Sequence, residues 1–199
     1  MITDNLASTL QRSFVYRTPP AANDSGVTLS VQDLTLNKRA GVRGTAAAEV
    51  LSSLNLPVPA KPNQSSDEVA NTLVLRLSNK EYWLLALNTE AEATVDGLDE
   101  SELTAKHACF PLFCQHSHAW FVVSGDYLAE TFAKICGVDL RESVFPVGSI
   151  AQTSVARVNA IVVSHIWQGK KVFSVLSDIS SSAYLLDAIQ DAMTEFNDK

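Results

Sequence analysis

The sequence predicts an α+β fold in which one unit is used twice, with helices packed on largely antiparallel sheets. Three observations carry this. A strand, a glycine and a helix occur at "AGVRGTAAAEVLSSLNLPVP" and again at "WFVVSGDYLAETFAKICGVDL", with Gly44 and Gly125 81 residues apart. A hairpin pattern follows each of these helices, and the chain closes on a further apolar helical stripe.

In chain order, residues 1–28 hold no sustained hydrophobic period. They include "RTPPAANDSG", whose Pro-Pro, Asn-Asp and Ser-Gly punctuation reads as a polar N-terminal arm. Regular structure is expected from near Val31. Residues 29–199 read as a single duplicated domain, with halves of about 29–105 and 106–199. In the first half a short strand runs through Gly44 into a helix whose Ala47, Val50, Leu51 and Leu54 fall at i, i+3, i+4, i+7. In the second half Ala129 stands on Ala48, Glu130 on Glu49, Phe132 on Leu51 and Ile135 on Leu54.

The hairpins are "TLVLRLSNKEYWLLAL", turning at Asn79-Lys80, and "AIVVSHIWQGKKVFSVL", turning at Gln168-Gly169. "SSSAYLLDAIQDAMTEF" then sets Leu185, Ile189, Ala192 and Phe196 at helical spacing, with a serine to cap it. "ESELTAK" is its weaker counterpart in the first half.

Composition narrows the function classes. The chain has 199 residues, 46% hydrophobic and 19% charged, the balance of a folded globular protein. No apolar run approaches the roughly 18 residues that span a bilayer, and "MITDNLASTLQRSF" lacks the basic start and apolar middle of a signal peptide. A cytoplasmic protein with no membrane segment is therefore expected. The net charge of −7 and the scattered Lys and Arg argue against nucleic acid. Three cysteines in such a chain are expected to be reduced and buried.

The chemically suggestive stretch is "KHACFPLFCQHSHAW". It holds His107-x-Cys109, then Cys114, then His116-x-His118, close in sequence but not at the paired spacing that lets two donors converge on zinc. Read as a strand leading into Gly125, residues 115–123 put His116, His118 and Trp120 on one face and Ser117, Ala119 and Phe121 on the other. The preferred reading is a strand, with a metal-binding protein built on His107 to His118 as the rival. A Cys114 and His116 nucleophile pair lacks an orienting group and an oxyanion donor, and Cys136, at the edge of a helical stripe, reads as core. Gly44 has no phosphate-loop pattern around it. Arg43 and Arg157 are isolated. Trp83, Trp120 and Trp167 lie on expected strands, where aromatic packing explains them. No catalytic residue and no metal ligand is assigned.

Three stretches, "RAGVRGTAAAEVLSSLNLPVPAKPNQ", "SHAWFVVSGDYLAETFAKICGVDL" and "FPVGSIAQTSVARV", together resemble the gamma subunit of heterotetrameric sarcosine oxidase over roughly residues 30–190. The resemblance implies a duplicated folate-binding-domain-like fold of the glycine-cleavage T-protein kind. It further implies a non-catalytic subunit that supports assembly of a flavin- and folate-dependent oxidative N-demethylase of sarcosine or another N-methyl amine. The implied partners are the alpha-type subunit with its beta and delta companions. FAD, FMN, NAD and tetrahydrofolate are implied for those subunits, with no cofactor in the isolated chain. Iron-sulfur-maintenance relatives carry a Lys-Gly-Cys loop near "VFPVGSIAQTSVAR", and here that cysteine is missing. Phe145, Pro146 and Ile150 are the candidate docking residues, with burial of Phe145 in the domain's own core as the competing reading. A stand-alone tetrahydrofolate-binding or aminomethyltransferase-like protein is the alternative function.

Overall fold

A computed structural model describes residues 29–66, 71–99 and 108–197. The expected N-terminal arm, the "ESELTAK" segment and His107 lie outside the described residues. One sheet runs, in spatial order, β3 (Gln64–Ser65), β4 (Thr72–Arg76), β5 (Glu81–Ala86), β2 (Arg39–Gly44) and β6 (Cys109–Leu112). The other runs β8 (Ile150–Val155), β9 (Val158–Trp167), β10 (Lys170–Asp178), β7 (His118–Gly125) and β1 (Leu29–Asp33). The two orders correspond strand for strand, and all these pairings are antiparallel.

Helices cover the outer face of each sheet. α1 (Ala47–Ser53) and α2 (Glu92–Asp99) bury Val50, Leu51, Val95 and Leu98 against Val42, Val74, Tyr82 and Leu84 of the first sheet. α3 (Leu128–Ala133) and α4 (Ser182–Asn197) bury Phe132, Leu185 and Ile189 against Phe121, Val123, Phe173 and Val175 of the second. A third core lies between the sheets, from Leu73, Leu75, Trp83 and Leu85 on one side to Trp120, Val122, Val163 and Leu176 on the other. The result is four layers. Central strands are thus buried on both faces, which is why they read as unbroken apolar runs rather than alternating ones.

The duplication is visible in local geometry. α1 starts at Ala47 and α3 at Leu128, the same separation as between Gly44 and Gly125. Each half also enters its last helix through a 3-10 turn with an Asx cap: Asn88 accepts from the Ala91 N–H at 3.2 Å, and Asp178 from the Ser180 N–H at 2.9 Å. The cap before α4 is therefore Asp178 rather than a serine, because the helical turn begins at Ile179, three residues ahead of α4. Gln168 and Gly169 have φ of 51° and 74°, and a two-residue hairpin with both central residues left-handed matches the twist of the flanking strands.

The two leading strands change places. β1 precedes β2 in the chain but pairs with β7, while β6 precedes β7 but pairs with β2. Each half therefore completes the other's sheet. On the opposite side β3 and β8 approach, with the Ile150 N–H donating to the Asn63 carbonyl at 3.0 Å and the Ser65 N–H to the Gly148 carbonyl at 2.9 Å. At Gly44 the exchanged strand β6 comes so close that an added Cβ would stand 2.6 Å from both the Ala108 carbonyl and Cys109 Sγ. Among the described residues no helix is long and apolar enough to cross a membrane.

Candidate functional site

Two short connections, 34–38 before β2 and 113–117 before β7, carry the exchanged strands past one another. Arg39 holds both. Its side chain is 1% exposed. It donates to the carbonyls of Thr35 (3.0 Å) and Asn37 (3.3 Å) in the first connection, to that of Gln115 (2.6 Å) in the second, and to that of His118 (2.8 Å) at the start of β7. Gln115 completes the lock by accepting from the Arg39 N–H at 2.6 Å and donating to the Asn37 carbonyl at 3.3 Å. Burial pulls the Arg39 guanidinium down to about 10, against opposing pulls from Cys114 and Asp33, so it stays charged at neutral pH. A planar five-donor fork suits this task, since four carbonyls need directed donors rather than a point charge.

The cysteines and histidines of 109–118 diverge from this crossing. Cys109 is buried under the helices of the first sheet, whereas Cys114 joins the inter-sheet core. The expected strand from 115 begins only at His118. Residues 115–117 form a turn, in which the Ser117 N–H approaches the Cys114 carbonyl at 3.4 Å and His116 is exposed. His118 and Trp120 do face the inter-sheet side, opposite Ala119 and Phe121, and the His118 ring stands edge-on to Trp83 at 4.8 Å. Among the described residues no group of three or more His, Cys, Asp or Glu is placed to hold a metal ion. His118 is held below its usual value, first by burial and then by Arg39, with Asp178 opposing.

The docking residues read from sequence are placed differently from that expectation. Phe145 is 5% exposed and packs edge-on to Phe173 at 5.8 Å, because a helical turn with the Phe145 N–H on the Arg141 carbonyl (2.8 Å) carries it inward. Ile150 is 6% exposed in the inter-sheet core, since it opens β8 on that strand's inner face. Both are therefore core residues. Pro146 alone is exposed, beside exposed Val144 and Val147. Cys136 lies in the core as expected, though past the end of α3, where it bridges Val155 of β8. Arg43 is spent on Glu81.

Phe110 and Phe113, 69% and 88% exposed, are surface aromatics that the sequence reading passed over. Phe110 lies on edge strand β6 and Phe113 just past its end, on either side of Pro111-Leu112 in "FPLF". That proline was the available signal, because proline within a strand marks an edge.

No protein-family model and no curated protein matches this chain. Solved structures do. A chain of the heterotetrameric sarcosine oxidase from Corynebacterium sp. U-96, solved in complex with pyrrole 2-carboxylate, is similar with a TM-score of 0.69 and 21% identity, over 97% of this chain and 93% of that one. The glycine cleavage system aminomethyltransferase T from Bartonella henselae is similar with a TM-score of 0.63 and 19% identity, over 82% of this chain and 45% of that one. This chain thus matches slightly under half of the aminomethyltransferase. At these identities the likeness speaks for architecture: the chain has an α+β fold of the T-protein type, shared with the sarcosine oxidase chain and the aminomethyltransferase.

Proposed function

We propose that this protein is a non-catalytic, gamma-like subunit of a sarcosine-oxidase-type complex, assisting assembly of a flavin- and folate-dependent oxidative N-demethylase. The observation that carries the reading is the near end-to-end match, 97% of one chain on 93% of the other, to a chain of a heterotetramer. A chain matched over its whole length to one member of a multi-subunit enzyme fits a subunit better than a fragment of a larger transferase. The polar side chains of the crossing support it too, because they are spent on backbone carbonyls, a structural task. In this reading FAD, FMN, NAD and tetrahydrofolate belong to the alpha-type, beta and delta partners, the complex works in the cytoplasm, and the isolated chain has no oxidase activity. Docking is assigned to Phe110 and Phe113, with Pro146 as the one retained sequence candidate, since exposed aromatics beside an edge strand offer large apolar contact area.

Co-expression with oxidase subunits encoded beside it tests this. Wild type should co-purify with the alpha-type subunit, and Phe110→Ser with Phe113→Ser should abolish co-purification at unchanged melting temperature. Failure of wild type to co-purify would end the reading. A second reading, a stand-alone tetrahydrofolate-binding or aminomethyltransferase-like protein, draws on the likeness to aminomethyltransferase T. Tight one-to-one binding of tetrahydrofolate in calorimetry would favour it.

A further inference from the structure

The outer edge of β6 is blunt, and the hydrogen-bond register of the first sheet shows why. The Gly44 N–H bonds the Lys80 carbonyl at 2.8 Å and the Ala86 N–H bonds the Lys38 carbonyl at 2.9 Å, so Gly44, Val42 and Ala40 turn their backbone groups toward β5. Arg43 and Gly41 turn theirs toward β6, where they face Phe110 and Leu112. Cys109 and Pro111 are left to point outward. Cys109 is buried and Pro111 exposed. Because proline has no N–H, the exposed part of this edge offers one carbonyl and no donor.

The second sheet has the equivalent edge at β1. Val31 there faces Val123, which stands 81 positions after Val42, the partner of Pro111. A different device protects it: Asn197 Oδ1 accepts from the Leu29 N–H at 2.8 Å while Nδ2 donates to the Leu29 carbonyl at 3.1 Å, filling the place of a neighbouring strand. We infer that β6 meets its partner through the side chains of Phe110 and Phe113, and that Pro111 bars the competing occupant, a second copy of this chain pairing strand to strand.

Exposed phenylalanines beside an open edge invite self-pairing. An antiparallel copy centred on position 111 would need that residue to donate and accept at once, and would set Phe110 and Leu112 of each copy alongside those of the other. Proline supplies only the acceptor, and its ring stands where the incoming carbonyl would sit. The partner is therefore not a strand, which alternates donors with acceptors. The inference rests on the reading of Phe110 and Phe113 as docking residues, and under it the alpha-type subunit presents apolar sockets for two benzyl groups with a donor for the Pro111 carbonyl. The contact is apolar rather than ionic, because Arg43, directly across from Phe110, already donates from Nε to Glu81 at 2.9 Å.

Sedimentation of the full chain over a concentration series tests this, with Pro111→Thr and Pro111→Ser as two variants that each restore the N–H at an exposed position. Both should self-associate roughly tenfold or more tightly than wild type, the worth of two regained hydrogen bonds, and the amide at position 111 should become protected from hydrogen exchange as association proceeds. Co-purification of wild type with the alpha-type subunit should persist from about 0.1 M to about 1 M salt, since screening weakens charge contacts and leaves apolar ones. Variants that associate no more than wild type, association that leaves the amide at position 111 unprotected, or partner binding lost at high salt would each overturn the inference. Failure of wild type to co-purify at any salt overturns the subunit reading instead, and the self-association measurement, made on this chain alone, is read separately from it.

Discussion

Mild acid should destabilise this protein through one histidine. His165 is buried between the sheets in a closed chain of hydrogen bonds. Trp120 Nε1 can only donate, and it reaches Ser174 Oγ at 2.9 Å; the serine then gives its own proton to His165 Nε2 at 2.8 Å. The proton on His165 Nδ1 is left to meet the Ile166 carbonyl at 3.1 Å. The ring is therefore neutral in the native state. Burial pulls it from 6.5 down to about 4, against a weaker opposing bond from Ile166. Because the folded value is depressed, the unfolded chain binds a proton first as pH falls. The full stability is present above about 6.5 and drains away between there and about 4. At 1.36 kcal/mol per unit the loss across that window is about 3 kcal/mol, a large fraction of a typical domain's stability. Urea denaturation followed by tryptophan fluorescence at pH 7.5, 6.5, 5.5 and 4.5 measures it. His165→Gln, which can keep the Ser174 and Ile166 bonds without titrating, should flatten the dependence, apart from a smaller slope in the same direction from His118. Wild type and His165→Gln losing stability in parallel would refute the reasoning, as would an NMR titration of His165 near its ordinary value in the folded protein.

Arg39→Ala removes the donors to four carbonyls at the strand crossing and should cost about 3 kcal/mol or more in urea denaturation, with Arg39→Lys recovering only part. Gly44→Ala places a methyl group against Ala108 O and Cys109 Sγ, and should cost about 1–3 kcal/mol, with faster hydrogen exchange in β6 as its signature. Phe145→Ala empties a core position against Phe173 and should lower stability by about 3–5 kcal/mol; an unchanged melting temperature with lost partner binding would restore its docking role.

Read alone, the sequence determined the repeated unit: strand, glycine and helix at Arg39–Ser53 and again from His118 to Ala133, a hairpin after each, and a terminal helix. These were legible because each depends on residues near one another in the chain. Helical spacing marks the buried side of α1 and α4, and the positive φ of Gln168 and Gly169 is a local property of a tight turn. Tertiary structure alone decided which sheet each leading strand enters. Nothing within β1 or β6 names its neighbour, and Pro111 marks β6 only as an edge; the exchange is stabilised by Arg39, a single residue bonded to carbonyls up to 79 positions away. The same reason accounts for Phe145, Ile150 and the scattered donors of 109–118. An apolar side chain in a loop reads as exposed or buried only once the surface opposite it exists. For Phe145 that surface is Phe173, and for Ile150 it is the first sheet across the inter-sheet core, both supplied by distant parts of the chain.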